Sequence, residues 1–128
     1  MKLSIVIPTR GDQNMQNITE CLQKQGFKDF EVIFIIDRIV TSDELLVTSN
    51  DHRIKYVTHL THTIPHNNAS ALRNLGIKEA KGEFILLMDD DEWFEEDYLE
   101  KSLMLWDMYA AKIHKDFVLT PTLIYRKT

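Results

Sequence analysis

Three short runs of apolar, largely β-branched residues constrain this chain more than any other feature: LSIVIP at 3–8, FEVIFIID at 30–37 and EFILLM at 83–88. Continuous apolar stretches of this length read as strands buried on both faces, the habit of parallel sheets. Helical spacing fills the intervals. Met15, Ile18, Leu22 and Gln25 recur every three or four residues, and Gly26 follows where a left-handed cap would stop the helix. Asn67 or Asn68 can cap a second helix running to Ala80, with Lys78 and Lys81 in its last turn and Gly82 beyond. Leu99, Leu103, Trp106, Ala110 and Ile113 mark one face of a longer helix. RIKYVTH at 53–59 alternates enough to be a less buried strand, and Ser42 with Asp43 and Glu44 predicts a short helix over 43–48. Residues 117–125 read as a fifth strand, interrupted or at an edge because Pro121 has no N–H to donate. Strand and helix alternate throughout, so the expected fold is α/β, a mostly parallel, Rossmann-like sheet with helices on both faces.

The 128 residues suffice for one domain spanning 1–128, and 44% hydrophobic with 27% charged residues is ordinary for a packed globular protein. The longest apolar runs are too short to span a bilayer, and the amino terminus lacks the pattern of a signal peptide. A single cysteine, Cys21, permits no internal disulfide and no thiolate metal cage; together these features predict a cytoplasmic protein. The net charge is −5, yet seven of the twenty acidic residues fall within positions 89–97. The acidity is local, and the remainder has no Lys/Arg cluster of the kind that nucleic acid demands.

In parallel α/β sheets the ligand crevice lies beyond the carboxyl ends of the strands. That singles out residues 8–11, Asp37, the loop after His59 and the triplet Asp89-Asp90-Asp91. Neither GxGxxG nor GxxxxGK[ST] occurs, so dinucleotide and P-loop binding are excluded. Three adjacent carboxylates at the end of a buried strand repel one another and favour a cation among them. On an extended segment Asp89 and Asp91 point the same way and can share Mg²⁺ or Mn²⁺, while Asp90 points elsewhere. Two carboxylates leave an octahedral shell open for waters and a diphosphate. Glu95, Glu96 and Asp97 read as a solvated run placed well for a helix dipole. On spacing alone, Asp37 could equally be a loop cap or a partner of Arg38, and Arg73 an ordinary surface ion pair.

IVIPTR, FEVIFIID and SALRNLGIKEAKGEFILLMDDDEW, taken in order over residues 2–105, resemble the nucleotide-binding half of inverting, DxD-containing GT-A glycosyltransferases of family 2. The resemblance implies that Pro8 and Thr9 line the nucleobase pocket with Arg10 beside them, that Asp37 binds the base and that Asp90 touches the ribose. Asp89 and Asp91 would be the outer residues of the metal motif, with Asp91 the direct ligand. Arg73, the arginine of the ARN string, would lie near the diphosphate or base. The donor would be a nucleoside-diphosphate sugar whose base and sugar the sequence does not specify, a UDP-sugar being the expectation, and the metal would offset charge on the departing diphosphate. Arg38, Ile39 and Val40 depart from the family's acid and Gly-Ser after the second strand, and Arg10 replaces an aromatic or small residue.

No residue matches the family's general base, which comes from a following half. The expectation is therefore a donor-binding part of a longer metal-dependent glycosyltransferase. Its acceptor, a glycan, lipid or protein, is not specified by the sequence. The alternatives are a non-catalytic nucleotide-sugar-binding module, which shares every donor-side residue, and a phosphoacceptor receiver domain. The latter needs an acidic pair after the first strand, where this chain has Pro8-Thr9-Arg10. His52, His59, His62 and His66 cluster within fifteen residues, but Pro65 and neighbouring threonines oppose the helix a zinc site would need there.

Overall fold

A computed structural model of the chain describes residues 1–37, 51–58 and 69–110. Among them the elements run β1 (Leu3–Thr9), α1 (Gln13–Gln23), β2 (Phe30–Ile36), β3 (Ile54–Thr58), α2 (Ala69–Glu79), β4 (Phe84–Leu87) and α3 (Tyr98–Ala110). The expected helix at 43–48, the fifth strand at 117–125, the caps Asn67 and Asn68, and Ile113 lie outside the described residues. So do Arg38, Ile39, Val40, His59, His62 and His66. The chain divides into two compact units, Met1–Glu20 with Asp29–Glu92, and Cys21–Lys28 with Trp93–Thr128.

The first unit holds the sheet, which is parallel throughout and ordered β3-β2-β1-β4. Leu3 sits opposite both Phe30 and Phe84, and Val32 opposite Ile54. The α/β architecture predicted from the alternating runs is thus observed. From β1 the chain steps outward to β2 and β3, then returns to the far side of β1 for β4. The strand order thus reverses at β1, which creates a switch point between β1 and β4.

Burial follows the runs unevenly. Ile5, Val6, Ile7 and every residue from Val32 to Ile36 have no exposed surface. Each such aliphatic side chain contributes about 1.5–3 kcal/mol on burial. Leu72 of α2 packs on Val6, Ile33 and Ile35, with Val57, Leu75 and Ala80 at the margin. The close approach of α2 depends on Gly76, where a Cβ would stand 2.3 Å from Val6 Cγ1. On β3, Tyr56 stacks on Phe34 with ring centroids 5.8 Å apart.

β4 departs from expectation: Ile85 and Leu87 are 44% and 48% exposed, so one of its faces is open where the apolar run predicted burial on both. Apolar composition reports what a strand can bury and not whether a layer covers it.

At the amino ends of the strands, Glu31 is completely buried. Its Oε1 accepts bonds from Ser4 Oγ (2.9 Å) and the Lys81 N–H (3.0 Å), and Oε2 accepts one from Lys55 Nζ (2.8 Å). Ser4 Oγ in turn accepts the Gly82 N–H at 2.7 Å. One carboxylate thereby joins β1, β2, β3 and the turn before β4. Burial alone would raise its pKa, but Lys55, the Lys81 N–H and Ser4 outweigh it and hold the carboxyl below the usual glutamate range.

In the second unit the start of α3 is held by Gln25, which is buried. Its Nε2 donates to the Glu95 carbonyl (2.6 Å) and its Oε1 accepts the Leu99 N–H (3.0 Å), satisfying one of the orphan donors of the first helical turn. The Gly26 N–H donates to the Glu96 carbonyl at 2.9 Å. The left-handed cap expected at Gly26 is absent: α1 ends at Gln23, and Gly11 is the glycine of positive φ among the described residues. Phe94 and Tyr98 pack ring to ring at 4.7 Å, and Leu99 is fully buried on the predicted face of α3. Asp97 pairs with Lys101 one turn on, in keeping with a solvated acidic run at a helix start. No helix among the described residues is long and apolar enough to cross a membrane.

Candidate functional site

The predicted site residues lie in the first unit, around the switch point, and Pro8 helps to open it. Lys2 O and Val6 O accept the Phe84 and Met88 N–H groups, so the even-numbered positions of β1 face β4. Pro8 continues that series but has no N–H to give. The β1–β4 register ends at Val6 opposite Leu87, and the chain beyond β4 leaves the ladder where Pro8 cannot hold it. On the other side β1 stays paired: Thr9 sits opposite Ile36 and its carbonyl accepts the Asp37 N–H at 2.9 Å. Contrary to the expectation that Pro8 ends the strand, β1 runs on through Thr9.

This asymmetry leaves Thr9 at the head of the slot, where it organises both neighbours. Its Oγ1 donates to Asp90 Oδ2 at 2.8 Å and accepts the Gly11 N–H at 3.1 Å. Gly11 reaches that position with φ of 75°, a conformation that L side chains rarely adopt. Asp12 then starts α1, its Oδ1 accepting the Asn14 N–H at 3.0 Å and its carbonyl the Met15 N–H.

The triplet after β4 leaves the strand and enters a turn at Asp90 and Asp91. Asp90 is half-buried and turned to Thr9, whereas Asp89 and Asp91 are exposed. The extended segment expected over the triplet is not observed, since Asp90 and Asp91 lie in a turn. The premise of three carboxylates crowded at a buried strand end holds only for Asp90. Burial raises its pKa first, and repulsion from Asp12, Asp91 and Asp89 adds to it, against the lowering effect of the Thr9 bond. Asp12 was not among the sequence-predicted residues. Its signal was the Gly-Asp-x-Asn turn after β1, legible as a helix cap but not as a neighbour of Asp90.

Arg73 comes from the second turn of α2 and bonds Asp89 directly, Nη2 to Oδ1 at 2.8 Å. The helix and the acidic turn are thus joined by a charge-assisted bond between partly exposed groups, 31% and 58%. Arg10 is exposed beside Thr9, and Asp37 is partly exposed after β2. Thr9, Asp37, Asp89 and Asp90 therefore gather at one rim, with Arg73 reaching it from α2. His52, by contrast, lies in the turn before β3, at the amino end of that strand.

The donor set is all oxygen, which suits a hard dication such as Mg²⁺ or Mn²⁺. It is also incomplete, because no group of three or more His, Cys, Asp or Glu among the described residues is arranged to hold an ion.

The chain and its fold are similar to several known proteins. The chain is 32% identical over 126 residues to the poly(ribitol-phosphate) beta-glucosyltransferase of Bacillus spizizenii, covering 93% of this chain and 19% of that protein. It is 34% identical over 97 residues to the GalNAc(5)-diNAcBac-PP-undecaprenol beta-1,3-glucosyltransferase of Campylobacter jejuni, covering 71% and 30%. It also resembles the crystal structure of Staphylococcus aureus TarS 1-349 in complex with UDP-GlcNAc, with a TM-score of 0.69 and 25% identity over 86% of this chain and 32% of that one. The chain spans less than a third of the length of either of these two glucosyltransferases. The profile of glycosyl transferase family 2 matches residues 4–115, a stretch that runs from the second residue of β1 through β4 and includes the whole of the rim just described, and the chain belongs to that family.

Proposed function

We propose that this chain is the donor-binding part of a metal-dependent, inverting glycosyltransferase that takes a nucleoside-diphosphate sugar, with UDP as the nucleotide. The observation that carries the reading is the convergence of Thr9, Asp37, Asp90 and the Arg73–Asp89 pair at the β1–β4 switch point of a family 2 chain. Pro8, Thr9 and Arg10 flank the base, Asp37 accepts from its edge, and Asp90 accepts from the ribose. Asp91, with Asp89 beside it, would hold Mn²⁺ or Mg²⁺. When bound, the cation supplies charge to offset that developing on the leaving diphosphate. UDP and UDP-GlcNAc complexes of the similar TarS structures support the choice of nucleotide.

Within this reading the rim's division of labour follows from exposure. The half-buried Asp90 has one oxygen committed to Thr9, which fixes its rotamer and leaves the other lone pairs to accept from a hydroxyl. The exposed Asp91 is reachable by a hydrated ion. No acceptor base is assigned to this chain, so transfer requires a base from elsewhere in the protein.

The test is a titration of UDP, dTDP, GDP and CDP, each with and without Mn²⁺, against the chain and its Asp91→Ala variant. UDP should bind in a metal-dependent manner, and the variant should lose that dependence. Equal binding without metal, or no binding of any nucleotide, would count against the site.

A further inference from the structure

The Arg73–Asp89 bond has a consequence for how cation and nucleotide enter the rim. It rests on the donor-site reading above. Asp89 belongs to the acidic turn that a cation would occupy, and Arg73 is the guanidinium that α2 extends to the same rim. In the structure each is committed to the other at 2.8 Å, and both remain partly open to solvent. We propose that this ion pair is an interlock: while it is closed, Arg73 is withheld from an incoming diphosphate, and a dication arriving at Asp89 releases it.

The physical basis is competition for one carboxylate. A dication at Asp89 repels a guanidinium bonded to the same group, so the two cations do not share it on equal terms. Solvent-exposed pairs are weak, so the exchange needs no large driving force. The freed guanidinium then faces a pyrophosphate, which offers a bidentate partner of higher charge than a carboxylate. By linkage, nucleotide binding must strengthen cation binding by the same factor as the cation strengthens nucleotide binding.

The test is a double-mutant cycle on UDP affinity measured by calorimetry in chelator, without any divalent cation, and repeated with Mn²⁺. Asp89→Asn opens the pair while keeping its shape. In metal-free buffer it should tighten UDP binding by about two- to fivefold, the scale of an exposed ion pair. In the Arg73→Gln background the same substitution should leave UDP affinity unchanged, because nothing remains to be released. With Mn²⁺ the enhancement seen in the wild-type chain should shrink in Asp89→Asn. Equal tightening in both backgrounds would mean that Asp89 merely repels the diphosphate, and absence of tightening in the wild-type background would mean that Arg73 is not withheld. Either overturns the interlock while the donor site stands. Failure of the wild-type chain to bind UDP with or without Mn²⁺ overturns the donor site and the interlock together. Both residues are exposed enough that unchanged circular dichroism melts are expected for all variants.

Discussion

The two ends of the sheet each carry a buried or half-buried carboxylate, and the chain treats them in opposite ways. At the amino end, Glu31 has a hydroxyl, an ammonium and a backbone N–H turned onto it. At the carboxyl end, Asp90 has a single hydroxyl and three carboxylates around it. The first group is lowered in pKa and the second raised. A satisfied buried charge fastens elements together, whereas a half-satisfied one is a site where a ligand can supply what the protein leaves out. The strands between the two ends are the same, so the difference comes from their neighbours.

The contrast is sharpest under one chemical change made at both ends. Glu31→Gln should destabilise the chain by about 1.5–3 kcal/mol, because the partly exposed Lys55 and the Lys81 N–H lose their anionic partner. Urea unfolding checks this, with the midpoint falling and UDP affinity of the folded fraction unchanged. Loss of UDP binding in step with stability would show that the two ends are not separable.

Acidification is the next lever. Glu31 is depressed in the folded chain, so its contribution is present above the unfolded pKa and is lost as pH falls through the folded value. The loss therefore sets in below about pH 4.3. Asp90 is raised, so its contribution has the opposite sign: it is full below the unfolded pKa and is lost as pH rises through the folded value. Thermal melts from pH 7 to pH 3 should show the gap between wild type and Glu31→Gln closing as pH falls. A gap constant with pH would remove the charge from the explanation.

Smaller effects follow at the carboxyl end. Thr9→Val, which removes the hydroxyl that holds Asp90, should weaken UDP binding by about three- to tenfold while shifting stability by less than about 1 kcal/mol. Asp90→Asn relieves repulsion and should leave stability unchanged or raise it by up to about 1 kcal/mol, although it impairs nucleotide binding. Destabilisation by Asp90→Asn as large as that of Glu31→Gln would erase the comparison.

Much of this was legible in the residues themselves. The apolar runs located β1, β2 and β4 to within a residue or two, and the helical spacing located α1, α2 and the start of α3. The string from Ser70 to Trp93 carried the family. Glu31 passed unnoticed because a single glutamate inside FEVIFIID looks like a tolerated polar position, and its partners Ser4, Lys55 and Lys81 stand 27, 24 and 50 residues away. Pro8 read as a strand terminator because the sequence does not say which neighbour its missing N–H would face. The open face of β4 and the pairing of Asp89 with Arg73 were equally hidden.

By itself the sequence determined what local periodicity and motif order can encode: a parallel α/β sheet, acids at its strand ends and membership of family 2. Which carboxylate turns inward, which is neutralised and which stays open was decided only by the order β3-β2-β1-β4. That order brings Thr9 against Asp90 across 81 residues and Ser4 against Glu31 across 27. The reason is that a side chain's charge state depends on its surroundings in space, and in a parallel sheet those are contributed by segments distant along the chain.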